Sequence, residues 1–417
     1  MRTPCVLCVI SGLGLAACGG KTSGANSTDA ASAADGGLDA STCRFSGFGA
    51  PTSYSTASAP WSMFVYSPMG GVPNVIVFEP SAFRSATFEL FANRGDGSFV
   101  LAPFQGAMGY FGNAISADFD GDGLADIAGL SLGSDGGVLQ IDRNIGGGAF
   151  SPQLTTYAAP QLSGHLAAGD FEGNGHPDIA MAGVTLFPRP DGIGIASAGL
   201  DVFFNNGQGS LASPVVYPDS QGYLLERIAA ADFDGNGSLD LGLFPGGIFL
   251  NSGGGAFGTE LPLPTLPGDA ADSPSQYWAV GDFNRDGKSD LVASLESNEV
   301  AVFLAVGGGS FALPVTYATS ATPSIVAVGD FNGDSAPDVA VLIAGQTGAS
   351  FVGLYLNQGD GTLAAEAKLV VSPYASALSA ADFNGDGVTD LAVANDGRLA
   401  QDGEVVSSFT VVLSQCR

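Results

Sequence analysis

A nine-residue acidic segment recurs six times in this chain of 417 residues, each copy directly after a short apolar run. The copies read DFDGDGLAD from Asp118, DFEGNGHPD from Asp170, DFDGNGSLD from Asp232, DFNRDGKSD from Asp282, DFNGDSAPD from Asp330 and DFNGDGVTD from Asp382. They start 52, 62, 50, 48 and 52 residues apart. Such spacing restricts the fold to an array of like units, each too small to bury its apolar face alone and stacked on its neighbours.

Within each copy, positions 1, 3, 5 and 9 carry side-chain oxygens. They are Asp118, Asp120, Asp122 and Asp126; Asp170, Glu172, Asn174 and Asp178; Asp232, Asp234, Asn236 and Asp240; Asp282, Asn284, Asp286 and Asp290; Asp330, Asn332, Asp334 and Asp338; and Asp382, Asn384, Asp386 and Asp390. Position 6 is Gly in five of the six copies, which suits a sharp turn. Hard oxygen donors on a flexible loop suit Ca²⁺ better than Mg²⁺, which demands a tighter octahedral site. Carboxylates gathered without a cation would repel one another. The loop matches the first half of an EF-hand loop, but no Glu stands at position 12 and both flanks read as strands. Position 9 is therefore expected to close the site, and the chain to bind up to six Ca²⁺ ions.

Nineteen of the 41 Asp and Glu residues fall in these loops. Six bound divalent cations would move the formal charge from −28 to −16. That balance still argues against a nucleic-acid partner and against attraction to an anionic membrane surface.

At the amino terminus, Arg2 is followed by the apolar run VLCVISGLGLAAC, too short to span a bilayer and suited to a secretory signal. Leu15, Ala16, Ala17 and Cys18 resemble a bacterial lipobox. Residues 1–18 are expected to be a lipoprotein-type signal peptide with Cys18 lipidated; an ordinary signal peptide cut nearby is the alternative. Residues 19–42, rich in Ala, Ser, Gly and Asp, cannot bury a core and read as a disordered tether. Residues 43–417 form the folded part. With Gly19 rather than Asp after the Cys, the resemblance to sorted lipoproteins implies an outer-membrane address, periplasmic or cell-surface, with membrane contact only through the lipid; secretion is the alternative. Cys43 and Cys416 are then left at the two ends of the folded part, and an exported chain with two such cysteines invites a disulfide.

After each acidic loop comes a second apolar strand, a variable connection, a third strand and a turn of shared pattern: FANRGDGSF, VFFNNGQGSL, IFLNSGGGAF, VFLAVGGGSF and LYLNQGDGTL. The NxGxG element fits a tight hairpin needing positive φ. A fourth strand follows, as in ALPVTYATS. The fold class is thus all-β, and a four-stranded antiparallel unit of this period is a propeller blade. Residues 61–99 repeat the pattern, but the loop reads YSPMGGVPN from Tyr66 to Asn74 and has no carboxylate. Six metal blades and this degenerate one make seven. The last repeat stops after its third strand, whereas FGAPTSYSTAS at residues 48–58 aligns with FALPVTYATS from Phe311. The amino terminus should supply the missing outer strand of the last blade. The same alignment brings Cys43 near Cys416 across the opened hairpin, predicting their disulfide. The competing architecture, a calcium-stabilised parallel β-solenoid, needs a nonapeptide period that this chain lacks.

The repeat resembles the FG-GAP or VCBS repeat of the integrin α-subunit propeller, best seen in FGNAISADFDGDGLADIAG from Phe111 to Gly129, and the resemblance covers about residues 44–417. It implies side-chain ligands at positions 1, 3, 5 and 9 and a carbonyl at position 7. This chain departs from the pattern at Glu172, at Ser335 in place of the position 6 Gly, and at Arg285 and Lys288, which bring positive charge to the Asp282 loop. The Asp330 site is expected to be the weakest.

In an up-and-down blade the acidic loops and NxGxG turns share one face, and the variable connections collect on the other. Those include 184–199 and 395–406. Five residues before each loop position stand Trp61, Asn113, His165, Arg227, Tyr277, Ile325 and Ala377. The first five are candidate ligand-binding residues around the channel mouth. Arg94, Gly95 and Asp96 spell RGD but occupy a hairpin turn, and GLSLG at 129–133 ends a strand with no helix to make a nucleophile elbow. No catalytic residue is assigned. The reading is a monomeric, calcium-binding, envelope-anchored propeller acting as a non-enzymatic protein or glycan recognition and adhesion module. A polysaccharide lyase or glycosidase on the same scaffold and an architectural envelope protein are the alternatives.

Overall fold

The computed structural model describes residues 45–416 apart from 59, 61, 68–70, 82–84, 104–109, 134–135, 148, 152–154, 160–162, 190–191, 209, 219–226, 245, 265–276, 345–349, 372 and 397–406. The described residues form seven four-stranded antiparallel sheets and two short two-stranded ribbons. The innermost strands, in blade order, are Ser62–Tyr66, Tyr110–Ala117, Ser163–Gly169, Arg227–Ala231, Trp278–Gly281, Pro323–Gly329 and Ala375–Ala381. Each adjoins the next, and the strand of blade 7 adjoins that of blade 1, which closes the ring. The chain is a seven-bladed β-propeller.

Burial explains the sequence pattern of each strand. Innermost strands are flanked by blades on both sides, so Leu166, Ala167 and Ala168, or Ile228, Ala229, Ala230 and Ala231, are buried without alternation. The residue entering each acidic loop must also be small. A Cβ added at Gly329 would lie 2.5 Å from Thr389 Cγ2 in the next blade. Outer strands instead alternate: in Val215–Pro218 and Val315–Ala318 only the tyrosine turns inward. Those tyrosines reach the following blade. Tyr157, Tyr317 and Tyr54 accept the backbone N–H of Leu211, Leu363 and Phe99 at 2.9, 3.1 and 3.1 Å.

Ring closure runs as the sequence predicts. Thr52–Ser55 pairs with Ser407–Val412, with Thr52 opposite Val411 and Ser55 opposite Ser408, and completes blade 7. Just upstream, Phe45–Phe48 pairs with Ser414–Cys416, placing Phe45 opposite Cys416. Cys43 lies outside the described residues, as do Cys18 and the segments 1–18 and 19–42 expected to be signal and tether. Blade 1 keeps the fold without the acidic loop, as Asn74–Ser81 pairs with Ser62–Tyr66. The variable connection at 184–199 extends the hairpin between Asp178–Arg189 and Gly192–Phe203, paired as far as Arg189 and Gly192. Of the other variable segment, Asn395 and Asp396 end the paired strand, Asp396 opposite Ser407, and 397–406 lie outside the described residues.

Candidate metal centres and the opposite channel mouth

All six acidic loops have one hydrogen-bonded form. The position 1 carboxylate accepts the position 5 N–H through Oδ1 at 2.9–3.2 Å. Its Oδ2 accepts the position 6 N–H at 2.7–3.0 Å. The position 5 Oδ1 accepts the position 7 N–H at 2.6–3.0 Å. Position 2 is a buried phenylalanine in every copy: Phe119, Phe171, Phe233, Phe283, Phe331 and Phe383. It anchors the loop in the core. Phe171, Phe233 and Phe383 meet Phe257, Phe311 and Phe99 of the following blade, with ring centroids 5.6, 6.1 and 5.5 Å apart.

The position 9 aspartates Asp126, Asp178, Asp240, Asp290, Asp338 and Asp390 are fully buried. Each accepts the position 2 N–H through Oδ2 at 2.8–3.0 Å. Through Oδ1 each accepts the N–H of Asn144, Asn205, Asn251, Ala305, Asn357 or Ser414, just past the third strand, at 2.7–2.8 Å. Burial pushes these carboxyls up to about 7, and Asp240 to about 6. In the loops where position 3 is Asp, three acids converge. One carboxylate oxygen from each of Asp118, Asp120 and Asp126 lies within 4.8 Å of the others, as does one from each of Asp232, Asp234 and Asp240. Where position 3 is Asn, its amide instead donates to the position 5 carboxylate: Asn284 to Asp286, Asn332 to Asp334 and Asn384 to Asp386, at 2.9–3.2 Å.

These donors fit a hard divalent cation. Each carboxylate oxygen has two lone pairs, and the backbone N–H groups at position 9 occupy one on each. The loop is already folded by its own hydrogen bonds, and every side-chain donor is oxygen.

At the other end of the innermost strands, the predicted channel-mouth residues divide into two groups. Arg227 begins the blade 4 strand, and its guanidinium carbon lies 3.7 Å from the Tyr277 ring centroid at the entry to blade 5. Ser294 fixes Tyr277: its hydroxyl accepts the Tyr277 N–H at 3.0 Å, and its N–H donates to the Tyr277 carbonyl at 2.9 Å. His165 of blade 3 is half-buried. Burial, and then the charge of Arg227 beside it, push its pKa down to about 3, so the imidazole is neutral. By contrast, Ile325 and Ala377 turn into the core, at 8% and 6% exposure. Trp61 lies outside the described residues, and Asn113 lies in the blade 2 strand Tyr110–Ala117.

The family model described as an FG-GAP-like repeat matches residues 118–181, 282–341 and 330–393. The chain carries FG-GAP-like repeats. No curated protein matches the sequence. Among solved structures, it is similar to the Photorhabdus luminescens Tc holotoxin pore, at 17% identity and TM-score 0.41 over 83% of this chain. The chain spans 17% of the length of that toxin chain. Other similar structures are the NanB sialidase from Streptococcus pneumoniae (8% identity, TM-score 0.40, 88% of this chain and 68% of that one) and the Vibrio cholerae biofilm matrix protein Bap1 (13% identity, TM-score 0.39, 87% and 88%).

In blades 3, 4 and 6 the acidic loop is also clipped to its neighbour by a residue that sequence reasoning assigned only to a turn, the asparagine of NxGxG. The Asn251 amide donates to the carbonyls of Leu239 in its own loop and Phe171 of the preceding blade, at 3.1 and 2.8 Å, and its Oδ1 accepts the Gly253 N–H. Asn205 and Asn357 repeat this, reaching back to Phe119 and Phe283 at 2.8 Å. In blade 1, Asn93 reaches the Phe383 carbonyl of blade 7 at 2.8 Å, across the point of closure. Its N–H donates to Asn74 Oδ1, so position 9 keeps its structural role where the acidic loop is lost. Asn144 instead reaches the Tyr66 hydroxyl. Blades 5 and 7 have Ala305 and Ser414 at this place; there the position 8 N–H of Ser289 or Thr389 donates to the carbonyl of Asp232 or Asp330 in the preceding loop. The recurrence of Asn after the third strand was the available signal.

Among the described residues, cations lie within ion-pair distance of three acidic loops: Arg143 lies 3.7 Å from Asp120, Lys288 lies 2.6 Å from Asp286, and Arg285 lies 3.5 Å from Asp334. The charge of Arg285 thus falls on the next loop, not on its own. RGD is hairpin chemistry: Asp96 accepts the Ser98 N–H and hydroxyl, as Asp360 does from Thr362.

Proposed function

We propose that this protein is a calcium-loaded propeller, held to the bacterial envelope by lipid on Cys18, whose ions are structural and whose face opposite the metal loops recognises a protein or glycan. The observation that carries the metal part is the convergence of three carboxylates in the Asp118 and Asp232 loops. Positions 1, 3, 5 and 9 of the six loops would hold the ions. Bound calcium neutralises acids that otherwise repel one another and so adds to folding stability. The role is non-enzymatic: the position 9 acids, the most perturbed carboxyls described, are each tied to two backbone N–H groups inside a loop that also anchors the core. The lipid anchor and the outer-membrane address rest on Leu15 to Cys18 and Gly19.

Calorimetric titration of the metal-stripped chain with Ca²⁺, with thermal unfolding in parallel, tests the metal reading. Binding of up to six ions and a rise in melting temperature on the order of 10 °C are expected. Binding without stabilisation would overturn the structural role. A glycan and protein array probed with the calcium form tests recognition, and loss of a metabolic lipid label on Cys18→Ser tests the anchor.

A further inference from the structure

The mouth opposite the metal loops brings together a cation, an aromatic ring and an imidazole. Arg227, Tyr277 and His165 come from the entries of three consecutive innermost strands. Among the described residues, no carboxylate lies within ion-pair distance of Arg227, although the chain carries 41 acids. A half-buried guanidinium set on an aromatic face, beside a neutral imidazole, is a cation aimed by its platform. Its planar fork matches a carboxylate bidentately. The imidazole adds one donor and one acceptor, the complement of a hydroxyl.

We propose that this mouth binds the carboxylate of an acidic saccharide, with Arg227 on the carboxylate, His165 on a neighbouring hydroxyl and Tyr277 positioning the guanidinium. The proposal rests on the reading of this face as a recognition surface and narrows it. A saccharide is favoured over an acidic peptide because the innermost strands, although edge strands of their sheets, lie against one another around the channel, Ser163–Gly169 against Arg227–Ala231 and Arg227–Ala231 against Trp278–Gly281, with Cα atoms within 8 Å. Peptide capture by strand addition would need room for a further strand between them, about 9–10 Å. Recognition by side chains alone suits a compact, hydroxylated anion.

The test is calorimetric titration of the full chain in calcium with D-glucuronate, a glucuronate-containing oligosaccharide, D-glucose and a glutamate-rich peptide. Saturable binding of the uronates is expected, at least tenfold weaker for glucose and for Arg227→Gln, with Tyr277→Leu also weakened. Arg227→Gln should keep the parent calcium stoichiometry and melting temperature, which separates ligand loss from misfolding. Absence of uronate binding, equal binding of glucose, binding undiminished in Arg227→Gln, or binding of the peptide in place of the uronate would each overturn the proposal. An array ligand indifferent to Arg227→Gln would overturn it too, yet leave the recognition reading standing. An array with no ligand of any kind would defeat that broader reading.

Discussion

Positions 4 and 6 of each acidic loop lie in the left-handed region, and glycine fills nearly all of them. The exceptions are Arg285 at position 4, with φ 57°, and Ser335 at position 6, with φ 66°. A side chain there costs roughly 1–2 kcal/mol, partly offset because glycine makes the unfolded chain more flexible. Ser335→Gly should therefore stabilise the protein by roughly 0.5–1 kcal/mol in urea unfolding; a destabilised variant would mean that Ser335 makes a contact worth more than its strain. The asparagine clip makes the opposite prediction. Asn251→Ala leaves the carbonyls of Phe171 and Leu239 without their donor in a buried place, and should cost about 2–4 kcal/mol. The same measurement on Ser252→Ala, an exposed neighbour in the turn, should move stability by less than about 0.5 kcal/mol.

Among the elements, the strand that closes the ring has the largest consequence, because it joins the two ends of the chain. Tyr54 stacks on Phe409 at 5.0 Å in its own blade, meets Phe99 of blade 1 edge-on at 5.6 Å and accepts the Phe99 N–H. Tyr54→Phe should cost about 1 kcal/mol, and Tyr54→Ala about 3–5 kcal/mol with faster unfolding. An unchanged unfolding rate in Tyr54→Ala would show that the ring does not open at this seam. That strand was legible in the sequence because its apolar and polar residues keep the register of the outer strands elsewhere, and the blades were legible because one loop repeats. The hairpin at 184–199 was not legible: a two-stranded ribbon extending past its blade has no repeat to mark it. The channel mouth was half legible. Sequence spacing picks out one position per blade, but only packing decides that Ile325 and Ala377 face the core while Arg227 meets Tyr277. The clip was overlooked because NxGxG already had a sufficient explanation as a turn, and Arg285 was assigned to the wrong loop because adjacent loops touch across a blade boundary that sequence distance conceals.

Across the whole molecule, six buried position 9 carboxyls link folding, protons and metal. Their pKa values in the metal-free fold are raised from 3.8 to about 7, or about 6 for Asp240, chiefly by burial. Between those limits the folded chain holds more protons than the unfolded one, so the metal-free protein loses stability as pH rises from 4 towards 7 and levels off above it. A divalent cation reverses the trend, since it binds the ionised carboxylates and must displace those protons. The melting temperature of the metal-free chain should therefore be higher at pH 5 than at pH 7.5, and that of the calcium-loaded chain should be higher at pH 7.5 than at pH 5. General repulsion among the acids of a chain of net charge −28 would produce the first trend by itself. Proton release separates the two causes. Calcium titrations at pH 6, repeated in buffers of different ionisation enthalpy, should show protons leaving as each ion binds, and the release should vanish by about pH 8.5. Diffuse repulsion predicts almost no release at pH 6, because exposed carboxylates are already ionised there. Heats at pH 6 that do not depend on the buffer would show that position 9 is ionised before the metal arrives, and that its two backbone N–H bonds outweigh its burial.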